Sequence, residues 1–149
     1  MNEDKTINDA LVMVFNELMD IEAKCLISGE FTNISGNDMH IIDAIGLDEP
    51  KSMTQVAKIM NVTTGTLSKT VDALVRKKYV RRQRSEEDKR VVRLSLTDSG
   101  RRAYEHHARF HNNMIQDLKN GLTDEETKML IQTLGKLISF FHEKYKAYI

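Results

Sequence analysis

Between Thr63 and Gly100 the sequence changes its chemistry twice, and this stretch narrows the fold more than any other part of the chain. Thr63 to Lys78 places Leu67, Val71, Leu74 and Val75 at helical spacing, leaving Thr64, Thr66, Ser68 and Lys69 for the opposite side. Val80 to Arg84 and Val91 to Ser95 then gather β-branched and basic residues around Ser85-Glu86-Glu87-Asp88-Lys89, which predicts two strands joined by a charged turn. From Arg76 to Arg93 nine Arg and Lys residues stand against three acidic ones, a local net charge of +6 in a chain that is neutral overall. Positive charge concentrated on a hairpin and a helix end is the electrostatic footprint of a surface for a polyanion.

The flanking sequence is helical. A single proline and seven glycines in 149 residues leave little material for an all-β architecture. Ile7, Leu11, Val14, Leu18, Ile21 and Cys25 form an apolar seam on a first helix running to about Ser28. Ser35 with Asp38, and Ser52 with Gln55, have the spacing of capping boxes and start a second and a third helix. Gly46 and Asn61 end these two helices. Asn61-Val62 is then a connection of helix-turn-helix length before the Thr63–Lys78 helix. Thr97-Asp98-Ser99-Gly100 opens a long helix to about Asn120, and Thr123 with Glu126 starts a last one carrying two apolar stripes, Leu130, Leu134, Leu137, Phe141 and Ile131, Ile138, Tyr145.

The expected architecture is mainly α: a winged helix-turn-helix with a two-stranded β wing, plus N- and C-terminal helices that pair two copies of the chain. We expect one chain-long domain, residues 1–149, in which 35–96 form the DNA-binding part and 1–34 with 97–149 the dimerisation helices. No apolar run is long enough for a membrane span or a secretory signal, and one cysteine permits no internal disulfide, so a cytoplasmic setting is expected.

Asp88-Lys89-Arg90, followed by Leu94-Ser95-Leu96-Thr97-Asp98-Ser99-Gly100, resembles the D-x-R and L-T-x-x-G pattern of the MarR family of winged helix-turn-helix regulators. Asp38 to Gly46, Arg84 to Val92 and Arg109-Phe110-His111 are similar to the FabT subgroup, repressors of fatty acid synthesis genes in Gram-positive cocci. The resemblance implies a homodimeric DNA-binding repressor whose operator affinity is raised by a long-chain acyl group delivered on acyl carrier protein. It implies no other cofactor. One departure concerns Lys78, which occupies a position where the family usually has glycine after the recognition helix.

In the recognition helix, Thr63, Thr64, Thr66, Ser68 and Lys69 are the expected contacts, since the N-terminal turn of such a helix enters the major groove and short hydroxyls bond bases or phosphates. In the wing, Arg90 is the expected minor-groove residue, with Asp88 orienting its guanidinium. Arg82, Arg84, Lys89 and Arg93 are expected to add phosphate contacts.

For an effector, Met13, Phe15, Leu26, Ile27, Phe31, Ile34, Met39, Ile42, Phe110 and Met114 would gather into an apolar pocket if the family layout holds, although each also reads as plain core. An alternative is a metal signal. His107 and His111 are one turn apart on one helix, with Cys25, His40, Glu105 and His106 as further candidate ligands, yet no CxxC or HExxH pattern is present. Cys25 itself reads as a buried small residue on the first seam before it reads as a redox switch. No Gly-rich phosphate loop or nucleophile elbow points to an enzyme, and a purely helical interaction module would leave the basic wing unexplained.

Overall fold

The structure, a computed structural model, describes residues 3–148. It contains six α-helices and a small sheet: α1 (Glu3–Leu26), a 3-10 turn (Gly29–Phe31), α2 (Gly36–Ile45), β1 (Lys51–Ser52), α3 (Met53–Met60), α4 (Thr64–Arg76), β2 (Val80–Arg84), β3 (Val92–Leu96), α5 (Asp98–Asn120) and α6 (Asp124–Lys144). Two compact units divide the chain, residues 1–110 and 111–149, with the boundary inside α5. No helix among the described residues is long and apolar enough to cross a membrane.

In the first unit the helix starts are fixed by side chains. Ser35 accepts from Asp38 N–H while the Asp38 carboxylate accepts from Ser35 N–H, and Ser52 with Gln55 repeats the arrangement for α3. Each box satisfies two of the backbone donors that a helix start leaves without partners. Asn61 ends α3 in the left-handed region at φ 53°, which turns the chain sharply toward Thr63. Thr63 is the cap of α4 and not its first turn: its hydroxyl accepts from Thr66 N–H at 3.1 Å.

At the other end of α4 the chain makes a Schellman turn. Tyr79 N–H donates to Leu74 O at 2.9 Å and Lys78 N–H to Val75 O at 3.0 Å, with Lys78 in the left-handed region at φ 66°. Lysine thus takes the conformation that glycine would adopt without steric cost. Tyr79 is buried and its hydroxyl donates to Asn33 Oδ1 at 2.8 Å, anchoring the turn to the segment after the 3-10 turn.

The wing is antiparallel, with Val80 opposite Leu96 and Arg84 opposite Val92. Alternation along β3 buries Leu94 and Leu96, whereas β2 buries Val80 alone and leaves Arg81 to Arg84 exposed. The sheet has a third strand that the sequence did not suggest: Lys51 and Ser52 pair with Leu94 and Arg93 on the far edge of β3. The segment after Pro50 therefore forms a short ladder, which covers an otherwise open strand edge.

The core joins the helix-turn-helix to the elements around it. Leu26, Met39, Ile42, Ile45, Val56, Leu67, Val71, Leu74, Leu94 and Ala103 are each at most 1% exposed or, for Leu67, 2%. Full burial of such a large side chain contributes roughly 1.5–3 kcal/mol. Val56, Leu67, Val71 and Leu74 hold α3 and α4 on this core, so the polar side of α4 stays outside.

Most of the α1 seam is not in that core. Ile7, Leu11, Val14, Leu18 and Ile21 are between 40% and 65% exposed and Cys25 is exposed as well, which corrects the reading of Cys25 as a buried residue. The described residues of α1 bury only Glu22 and Leu26. In the second unit, α6 starts with the Thr123–Glu126 capping box and buries no residue; Ile131, Leu134, Ile138 and Phe141 remain 46–65% exposed.

Candidate nucleic-acid interface

The surface that the sequence assigns to DNA lies on α4 and the wing, both in the first unit. Burial of Leu67, Val71 and Leu74 turns Thr64, Thr66 and Lys69 to solvent, with Ser68 half-buried at the flank. The hydroxyls of Thr63 and Thr66 are 2.9 Å apart and hydrogen-bonded, so the cap and first turn of α4 present an ordered pair of side chains. Short hydroxyls on a rigid helix end can approach base edges or phosphates without losing much side-chain entropy.

The wing tip is built around Asp88. Val91 N–H donates to Asp88 O at 2.9 Å and Ser85 N–H to Val91 O at 2.8 Å, closing the turn. The Asp88 carboxylate accepts from Arg90 N–H at 3.0 Å, from its Nε at 3.1 Å and from its Nη2 at 3.3 Å. These bonds hold the Asp88 carboxyl below the usual carboxylate range, the side chain of Arg90 being the larger cause and its backbone N–H the second. The Arg90 side chain itself is 91% exposed, so it projects from the tip while its near edge is held. A fixed, forward guanidinium suits a narrow groove of negative potential.

Arg84, Lys89 and Arg93 are exposed along the hairpin. Arg82 points elsewhere: its guanidinium pairs with Asp72 on α4 and reaches Ser68 Oγ at 3.3 Å. The phosphate contact expected of Arg82 would thus have to come from a guanidinium that is already engaged by an acid on the neighbouring helix, which strand alternation does not reveal. Asp72 is thus a member of this surface that the sequence reading missed; its place four residues after Ser68 on α4 is the signal that could have found it.

The expected effector residues divide into two groups. Leu26, Phe31, Ile34, Met39 and Ile42 are buried in the core cluster with Phe110 packed against it, and Met114 is half-buried. Met13 and Phe15 are more than 60% exposed on α1 and Ile27 is exposed after it, so these three do not line an interior space with the others.

Of the histidines, His40 and His107 come together around a residue that sequence reasoning overlooked. The Glu22 carboxylate, in a residue only 4% exposed, has Oε1 at 3.1 Å from His40 Nε2 and 2.9 Å from His107 Nε2. Asp43 Oδ1 lies 3.7 Å from His107 Nδ1. Glu22 from α1, His40 and Asp43 from α2 and His107 from α5 meet in this cluster, with Glu22 and His107 buried and His40 and Asp43 at its outer side. Cys25 is exposed, and His111 stands half-buried one turn beyond His107 on α5. Glu22 is hidden in the sequence because it neighbours Ile21 on a helix rich in acids; Leu26, four residues on, marks the face it shares.

A helix-turn-helix followed by a basic hairpin, with hydroxyls and an oriented arginine at the outer surface, defines a winged helix-turn-helix DNA-binding protein. The chain belongs to the MarR family, whose model matches residues 32–91. It is 30% identical over 122 residues to the Bacillus subtilis HTH-type transcriptional regulator YpoP, covering 82% of this chain and 79% of YpoP. To the B. subtilis transcriptional repressor YetL it is 34% identical over 90 residues, 60% of this chain and 54% of YetL. Among solved structures it is similar to Streptococcus pneumoniae FabT in complex with DNA, at 37% identity and a TM-score of 0.90, covering 95% of this chain and 99% of FabT. A mutant Escherichia coli MarR complexed with operator DNA matches at 25% identity and a TM-score of 0.71, covering 91% and 96%. The chain is a MarR-family DNA-binding transcriptional regulator and not an enzyme.

Proposed function

We propose that this regulator is a cytoplasmic, homodimeric repressor of fatty acid synthesis genes, with a long-chain acyl group on acyl carrier protein as its corepressor. The observation that carries the reading is the likeness to FabT over nearly the whole chain. The FabT-like sequence at Asp38 to Gly46 and Arg84 to Val92 supports the same subgroup. Dimerisation is supported by the apolar residues that α1 and α6 each leave exposed, since a monomer gains nothing from holding Ile7, Val14, Ile131 or Ile138 in water. Two copies would set two α4 helices on successive turns of a palindromic operator, and occupancy there would exclude polymerase.

A corepressor can shift the protein toward its DNA-competent state only by binding that state more tightly. Long-chain acyl carrier protein therefore tightens binding to the protein's own promoter in a fluorescence anisotropy titration, while unacylated carrier protein does not. An unchanged isotherm removes the acyl reading.

Glu22 with His107 favours a second reading, regulation by a divalent metal. A buried carboxylate 2.9 Å from an imidazole Nε2 offers two donors of the kind zinc takes, and an ion on both would tie α1 to α5. The same titration with zinc and with a chelator separates the two: a response to zinc without one to acyl carrier protein selects the metal.

A further inference from the structure

Arg82 lies in β2, but its chemistry belongs to the recognition helix. One guanidinium nitrogen pairs with the Asp72 carboxylate and the other, Nη2, donates to Ser68 Oγ at 3.3 Å. Asp72 and Ser68 are one turn apart on α4, so a single planar fork spans both acceptors. An arginine already neutralised at short range by a carboxylate offers little net charge to a phosphate. A role for Arg82 must be sought in what it does to Ser68.

A serine hydroxyl has one hydrogen to donate and two lone pairs with which to accept. Arginine can only donate. The Arg82–Ser68 bond therefore uses a Ser68 lone pair and leaves its hydrogen for an acceptor, and among the described residues no other side-chain partner takes it. Thr63 and Thr66 repeat this pattern one turn earlier. Thr63 Oγ1 accepts Thr66 N–H at 3.1 Å and donates to Thr66 Oγ1 at 2.9 Å, which leaves the Thr66 hydrogen directed away from the pair. On the outer side of α4, Thr66 and Ser68 thus each have a hydroxyl hydrogen left to donate.

Polarity of this kind is sequence information. In the major groove guanine offers two acceptors, adenine N7 and thymine O4 one each, whereas cytosine offers an amino donor. We propose that Arg82 is a positioning residue for base selection: by occupying one Ser68 lone pair and leaving the hydroxyl hydrogen to be donated, it makes the recognition helix favour a base with a major-groove acceptor beneath Ser68 over cytosine there. This rests on the reading that α4 faces the major groove.

Competition binding settles it, with duplexes in which each operator base is varied in turn and with salt titrations of wild-type protein, Arg82→Ala, Ser68→Ala and the double variant. The expected result for Arg82→Ala is a relaxation of the penalty for cytosine at one symmetric pair of positions, roughly fivefold to tenfold, part of the discrimination that a good base contact provides. Its slope of log affinity against log salt stays that of the wild type. Ser68→Ala, which removes one surface hydroxyl and leaves the core untouched, shows the same relaxation, and combining the two adds nothing further. If Arg82 instead contacts phosphate, its alanine variant loses affinity equally for every duplex and its slope falls by about 0.9 per contact; that outcome, or additive losses in the double variant, overturns the proposal. Loss of preference across all positions in the wild type would overturn the reading face itself.

Discussion

Gly100 stands where the wing meets α5, and its replacement by alanine should be among the most damaging conservative changes in the protein. A Cβ at this position would lie 2.1 Å from Tyr79 O, 3.1 Å from Tyr79 C and 3.2 Å from Leu96 Cβ. An ordinary carbon–oxygen contact needs about 3.3 Å, so the Tyr79 carbonyl must retreat by roughly 1 Å. That carbonyl accepts from Thr97 N–H at 3.1 Å and lies 3.1 Å from Thr97 Oγ1, contacts that fasten the end of the α4 turn to the start of α5. Losing the two at about 1 kcal/mol each, with about 1–3 kcal/mol of overpacking, is opposed by under about 1 kcal/mol from the better helix propensity of alanine. The net cost is about 2–4 kcal/mol, equivalent to a fall in Tm on the order of 10 °C for a chain of this length. Urea unfolding followed by far-ultraviolet circular dichroism, at one fixed protein concentration, measures it. A loss smaller than about 1 kcal/mol would mean that the close approach of Gly100 to Tyr79 does not constrain the junction.

Three further outcomes follow from individual residues. Lys78→Gly should stabilise the protein by about 0.5–1 kcal/mol in the same unfolding experiment, because glycine takes the left-handed conformation at φ 66° without strain. Glu126 has its carboxyl held below the ordinary glutamate range by Thr123 N–H first and the Thr123 hydroxyl second. Its contribution is therefore complete above that ordinary range and is lost as pH falls through the depressed value; Glu126→Gln, which keeps a capping acceptor, should flatten the acid limb of stability measured by thermal melts across pH. Arg90→Ala should weaken binding to the operator while the circular dichroism spectrum and the mass of the assembly stay those of the wild type, because its side chain is 91% exposed and its guanidinium is held by Asp88 within its own turn.

What could be read from the sequence was what local chemistry decides. The Ser35–Asp38, Ser52–Gln55 and Thr123–Glu126 pairs mark helix starts because a capping box closes within four residues. Asn61 was legible as a helix end, and Lys78 as a left-handed position through the glycine that the family resemblance puts there; both take positive φ. The β1 strand was not, since two residues carry no periodicity and their partner in β3 lies far along the chain. Periodicity identified an apolar stripe on α1 without saying what covers it, and the stripe proves to lie outside the core of the chain. Glu22 and Asp72 escaped for a related reason: an acid on a helix looks solvated until the histidines or the arginine that it meets from other elements are placed beside it. The division at residue 110 falls inside a continuous helix, where composition offers no boundary signal.

The central claim is that α4 and the wing bind duplex DNA through an electrostatic surface that a neutral chain has concentrated there. Fluorescence anisotropy of the protein's own promoter duplex, titrated across a range of salt concentrations, tests it most directly. With roughly six to ten phosphates contacted at the operator, log affinity should fall linearly with log salt at a slope of about −5 to −9, a loss of several orders of magnitude between low and moderate salt. Binding that is unaffected by salt, or no binding to that duplex at any salt concentration, would contradict the account.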